Sequence, residues 1–160
     1  MTVDAQRDAF LREAIRLAQQ AVRSGVGGPF GAVVVRAGEI VGRGCNQVTS
    51  ANDPTAHAEV VAIRDACRRL NTFRLDDCEI FASCEPCPMC LGAILWARVR
   101  GLWYAATRED AAAAGFDDAA FHREFTRAAG ERRLAAVNRL REEGRGVFQD
   151  WLAKADRIAY

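Results

Sequence analysis

Residues 83–94 read Ser83-Cys84-Glu85-Pro86-Cys87-Pro88-Met89-Cys90-Leu91-Gly92-Ala93-Ile94. The apolar run Ile80-Phe81-Ala82 just before them reads as a strand, and the turn through Pro86 and Pro88 leads to a helix predicted from about Met89 to Ala97. Another strand, Leu102-Trp103-Tyr104-Ala105, comes next. The same alternation holds upstream. Ala32-Val33-Val34-Val35 is a continuous apolar run that suits a strand buried on both faces. Ala37-Gly38-Glu39 is a turn, and Ile40-Val41 opens a second strand that fades at Gly44, so the two predict a hairpin. Asp53-Pro54 predicts a helix capped by Asp53, with Pro54 as its first residue and Ala58, Val61, Ile63, Ala66, Cys67 and Leu70 as its apolar face. Phe10, Leu11, Ala14, Ile15, Ala18, Ala21 and Val22 recur at helical spacing in a first helix that Ser24-Gly25 ends. Helices alternating with strands indicate an α/β sheet with helices on its faces.

The last third carries weaker patterns. Asp110 to Ala114 is a short helical turn stopped by Gly115, and residues 131–143 and 147–158 both show helical spacing, the latter with a stripe of Phe148, Trp151, Leu152 and Ala155. No linker, repeat or low-complexity stretch interrupts residues 1–160, which predicts a single domain with a C-terminal helical arm. The formal net charge of +1 supplies no overall field toward nucleic acid, and no stretch is apolar enough to cross a bilayer. The first 20 residues lack a secretory pattern, which predicts a cytoplasmic protein whose six cysteines are not disulfides. Gly25 and Gly27 are not a dinucleotide fingerprint: Phe30 stands where the last glycine belongs, and a helix rather than a strand precedes them.

The chemistry lies in Thr55-Ala56-His57-Ala58-Glu59 together with Cys87-Pro88-Met89-Cys90. Imidazole nitrogen and two thiolates suit zinc, and three protein ligands leave a fourth tetrahedral position open, which is the mark of a catalytic site. The other histidine, His122, lies in a region without a partner motif. His57, Cys87 and Cys90 are therefore the predicted ligands of one Zn2+ per chain, placed near helix starts that favour negative charge. Glu59, two residues past His57, is placed to take a proton from water and hand it to a leaving amine. His-x-Glu with Pro-Cys-x-x-Cys is the zinc nucleobase deaminase signature. A thioredoxin-like role has the wrong chain order, and a non-catalytic zinc scaffold leaves Glu59 without a use.

These residues resemble the cytidine deaminase-like superfamily and, within it, the bacterial guanine deaminases. The likeness runs through Gly27-Gly28-Pro29-Phe30-Gly31-Ala32, residues 52–59 and residues 83–94, blocks shared with tRNA adenosine deaminases. Ala114-Gly115-Phe116-Asp117-Asp118 and the tail ending in Tyr160 point to the guanine branch. The resemblance implies a three-layer α/β/α fold with about five strands, and a homodimer whose C-terminal segments, from about residue 145, exchange. It implies hydrolysis of guanine to xanthine and ammonia, with Glu59 and Asp118 catalytic. It further implies substrate contacts at Phe30, Asn46, Ala58, Trp96, Asp118 and Tyr160. The alternatives are a tRNA adenosine deaminase, which calls for a basic surface, and a broader nucleobase, nucleoside or triazine deaminase.

Overall fold

Val33 and Val35 point to one side of the sheet and Ala32 and Val34 to the other, and all four are buried. This is the two-sided burial that a continuous apolar run requires. The computed structural model describes residues 2–160. Helix α1 (Val3–Ser24) packs on one face of the sheet, and α3 (Ala58–Leu70) on the other with α4 (Pro88–Trp96) beside it. Between them lie β1 (Gly31–Arg36), β2 (Glu39–Cys45), β3 (Cys78–Cys84) and β4 (Gly101–Ala106) in the order β2-β1-β3-β4. The β1–β2 and β1–β3 pairs are antiparallel, and β3–β4 is parallel across α4. The core under α3 and α4 joins Ala32, Val34, Ala62, Ala66, Leu75, Ile80 and Ile94. Phe81, Val33 and Val35 meet Phe10, Leu11 and Leu17 of α1 on the other face.

The sheet has four strands among the described residues, not about five. After β4 the chain turns helical, because Thr107 and Asp110 form a reciprocal capping box that starts α5 (Arg108–Ala113), and its alanines favour helix. A further helix, α6 (Asp118–Thr126), lies where the sequence reading placed no element.

Helix α3 starts at Ala58, five residues past the predicted cap. Asp53 Oδ1 instead accepts from the Thr55 amide at 2.8 Å and the Thr55 hydroxyl at 2.7 Å, a local turn that competes with helix. A short helix, α2 (Val48–Ala51), precedes it, and His57 becomes the N-cap, in extended conformation. The helix predicted over 131–143 is a 3-10 turn (Ala129–Glu131) followed by irregular chain as far as Leu140. Leu134 and Val137 there are exposed, so no burial favours a helix. Helix α7 runs Arg141–Ala153, earlier than the predicted 147–158, and its Phe148 and Leu152 are exposed with Trp151 partly so.

Glycine lets α3 approach β2. A Cβ on Gly44 would lie 2.2 Å from the Ala58 carbonyl oxygen and 2.5 Å from the Ala62 nitrogen. Gly44→Ala is expected to cost about 1–3 kcal/mol through forced separation of helix and sheet. A lowered urea midpoint at unchanged slope checks this.

Candidate metal centre and substrate cavity

Two helix starts and one sheet end converge on a small volume. His57 caps α3 and Cys87 caps α4, both in extended conformation, so their side chains leave the helix axes at the positively polarised ends. Cys90 sits one turn into α4 and is fully buried. His57 Nδ1 lies 3.6 Å from Cys87 Sγ and 3.5 Å from Cys90 Sγ, and the three donor atoms all lie within 4.8 Å of one another. A tetrahedral zinc with ordinary Zn–N and Zn–S lengths separates N and S ligands by about 3.6 Å. The donor set and its spacing therefore fit zinc.

The electrostatics agree. Hydrogen bonds from Cys90 and His57 bring the Cys87 thiol down to about 4, against the opposing effect of burial. Cys90 is pushed up, first by its bond to Cys87 and then by burial, so the two sulfurs share one easily lost and one firmly held proton. His57 is raised, chiefly by its bond to Cys87. Glu59 is buried, and desolvation raises its carboxyl above the usual range, with the Cys87 charge adding to it. Asp118, the first residue of α6, is raised by burial and then by the Cys87 charge.

Beside the triad lies a cavity of about 260 Å³, lined among others by Phe30, Asn46, His57, Glu59, Cys87 and Asp118. It lies just below the roughly 300–1,000 Å³ usual for ligand pockets, which suits a small ring. Asn46 comes directly after β2 and is 7% exposed. Its Oδ1 accepts from the amides of Gly28 and Val48, both at 3.2 Å, which fixes the amide with Nδ2 as the group left to donate. Phe30 meets Phe116 edge-on at 4.8 Å between centroids, forming an aromatic wall.

Residues 4–106 match the family model of the cytidine and deoxycytidylate deaminase zinc-binding region. The chain belongs to that family. Guanine deaminase of Bacillus subtilis (strain 168) is 50% identical over 153 residues, covering 96% of this chain and 98% of its own. The X-ray structure of guanine deaminase from that organism superposes with a TM-score of 0.92 at 48% identity, over 100% of this chain and 99% of the other. The tRNA-specific adenosine deaminase of Aquifex aeolicus (strain VF5) offers a contrast: it is 43% identical over 100 residues, 62% of this chain and 66% of its own.

Within this deaminase-family chain, three residues singled out by the resemblance lie outside the cavity wall. Ala58 is buried at the start of α3, between His57 and Glu59. Trp96 and Tyr160 pair with each other at 5.9 Å, in a groove also lined by Val60, Ile63 and Phe73. Five wall residues are not singled out by sequence reasoning: Gly28, Val48, Thr49, Glu85 and Phe116. Gly28, Glu85 and Phe116 sit inside motif blocks that could have drawn attention to them, whereas Val48 and Thr49 carry no sequence signal.

Proposed function

We propose that the chain is a zinc-dependent hydrolase that converts guanine and water to xanthine and ammonia. The observation that carries this reading is the extent of the likeness to guanine deaminase. It continues past residue 106 through the C-terminal third, where Asp118 enters the cavity wall. The likeness to the tRNA-specific adenosine deaminase spans only 100 residues. A net charge of +1 and a cavity of about 260 Å³ also favour a free base over a polynucleotide.

One zinc ion held by His57, Cys87 and Cys90 would supply a water acidic enough to act as nucleophile near neutral pH. Glu59 carries the protons: it takes one from the water, delivers it to the ring nitrogen, and passes the next to the departing amine. Its burial favours the neutral form more than water would, which suits a group that must donate a proton as well as accept one. Asn46 donates Nδ2–H to an acceptor on the purine, and Asp118 accepts from its N–H edge. Phe30 and Phe116 bound the ring plane.

We read residues 1–160 as one domain, with the segment from about 145 exchanged in a homodimer. The unpartnered face of Phe148, Trp151 and Leu152 supports this, and exchange would give Tyr160 a route to a neighbouring cavity. Sedimentation at twice the 17.5 kDa chain mass is the expected result, and a monomer would overturn it. Six unpaired cysteines fit a reducing cytoplasm.

The test is a substrate panel with zinc-loaded protein: guanine, guanosine, adenine, cytosine and a tRNA anticodon stem. Guanine is expected to lead the others in kcat/KM by at least about 100-fold, the scale of discrimination that hydrogen-bonding sites reach or exceed. Preference for the tRNA would refute the reading.

A further inference from the structure

Glu85 lies in the cavity wall, yet neither of its carboxylate oxygens is free of the protein. Oε2 accepts the backbone N–H of Arg108 at 3.1 Å, and Oε1 pairs with Arg108 Nη2 at 3.3 Å. The carboxylate side chain is only 17% exposed, so this charge-assisted pair is less screened than a surface one. Two neighbouring contacts reinforce it. The Glu85 amide donates to the Ala106 carbonyl at 2.9 Å, and the Cys84 thiol donates to the Thr107 carbonyl at 3.4 Å. Cys84, the last residue of β3, and Glu85 after it thus grip three consecutive residues that lead from the end of β4 into α5.

Beyond that grip the chain builds the other wall of the cavity. Helix α5 packs on α6, and the turn between them, through Gly115 at φ 92°, carries Phe116 and then Asp118 into the cavity lining. The Phe116 amide donates back to the Ala111 carbonyl at 3.1 Å, so the turn moves with α5. On the other side of the grip, Glu85 is two residues from Cys87. We infer that Glu85, with Arg108 as its partner, is a positioning residue. It fixes the α5–α6 wall, with Phe116 and Asp118, at its distance from the metal triad. Glu85 acts through Arg108 and does not itself touch the base. The inference rests on Asp118 serving the proposed reaction.

Arg108 offers a clean way to test it. It is the first residue of α5, where proline is tolerated, and Thr107 before it is already extended, as a residue preceding proline must be. Arg108→Pro therefore removes both the amide and the guanidinium from Glu85 while leaving helix α5 and the metal loop in place. Arg108→Ala removes the guanidinium alone and serves if the proline variant fails to fold. In zinc-loaded protein, amide hydrogen exchange over residues 109–126 should quicken by at least about tenfold, with zinc content unchanged. A displacement of about 1 Å can cost about 100-fold in rate. The expected loss in kcat/KM for guanine is therefore about tenfold to 100-fold in the wild-type background. In an Asp118→Asn background the same substitution should cost clearly less than in the wild type, since one of the two groups being positioned is already disabled. Unchanged exchange, or full and additive losses in the Asp118→Asn background, would overturn the inference. If the wild-type protein does not turn over guanine, the exchange measurement alone decides: quickening limited to α5–α6 supports the positioning role, and its absence refutes it.

Discussion

Glu59→Gln is expected to lower kcat on guanine by about 10²–10⁴-fold while zinc content and fold stay as in the wild type. The amide has nearly the shape of the carboxyl it replaces but cannot shuttle a proton. Nor should the variant be less stable. Desolvation raises the Glu59 carboxyl above its ordinary value. A group raised in the folded state contributes stability that is complete below its unfolded pKa and is lost as pH rises through the folded one. Glutamine has no such loss. In chelated protein the variant's denaturation midpoint should therefore rise relative to the wild type as pH climbs above the ordinary glutamate range. Metal analysis, steady-state kinetics and denaturation curves on the same preparations check all three expectations. Activity within about threefold of wild type would remove Glu59 from the proton path, since general acid–base catalysis contributes far more than that.

Cys90→Ser should be as damaging by a different route. Serine cannot supply a soft anion at 3.5 Å from His57 Nδ1, and two ligands do not hold zinc in a site built for three. Losing even an outer-shell partner costs about 10–100-fold in metal affinity. Loss of a direct ligand should exceed about 100-fold, leaving purified protein with little zinc and no measurable turnover. Chelation of the wild type should reproduce the loss, and added zinc should restore the wild type but not the variant. Acid should favour release as well. The Cys90 thiol holds its proton firmly and His57 is raised, so falling pH sets protons against the metal at both positions. Zinc retained at one per chain in Cys90→Ser would contradict the ligand assignment.

Some of this architecture is legible in the sequence and some is not, and the difference lies in where the information sits. Ala32 to Val35 announce a central strand because a run buried on both sides has no polar face to hide. His57, Cys87 and Cys90 stand out because histidine is scarce in this chain and the spacing of the three is tied to helix starts. Asp53-Pro54 misleads because an aspartate that can cap a helix can equally close a two-residue turn onto Thr55, and only the surroundings choose. The sheet stops at four strands among the described residues, fewer than the resemblance implies, and after β4 the capping box at Thr107 favours helix locally. Val48 and Thr49 stay hidden because a cavity wall is assembled from segments far apart in sequence. The stripe on α7 is legible as a stripe, but periodicity states that a face is apolar without stating what it meets.

The most direct test of hydrolytic guanine deamination is isotopic. Zinc-loaded protein is incubated with guanine in water enriched in oxygen-18, and xanthine and ammonia are quantified with the label in xanthine. Hydrolysis at the purine C2 predicts equal amounts of both products, with one solvent oxygen retained in each xanthine. Absence of xanthine, or xanthine formed without solvent oxygen, would contradict it.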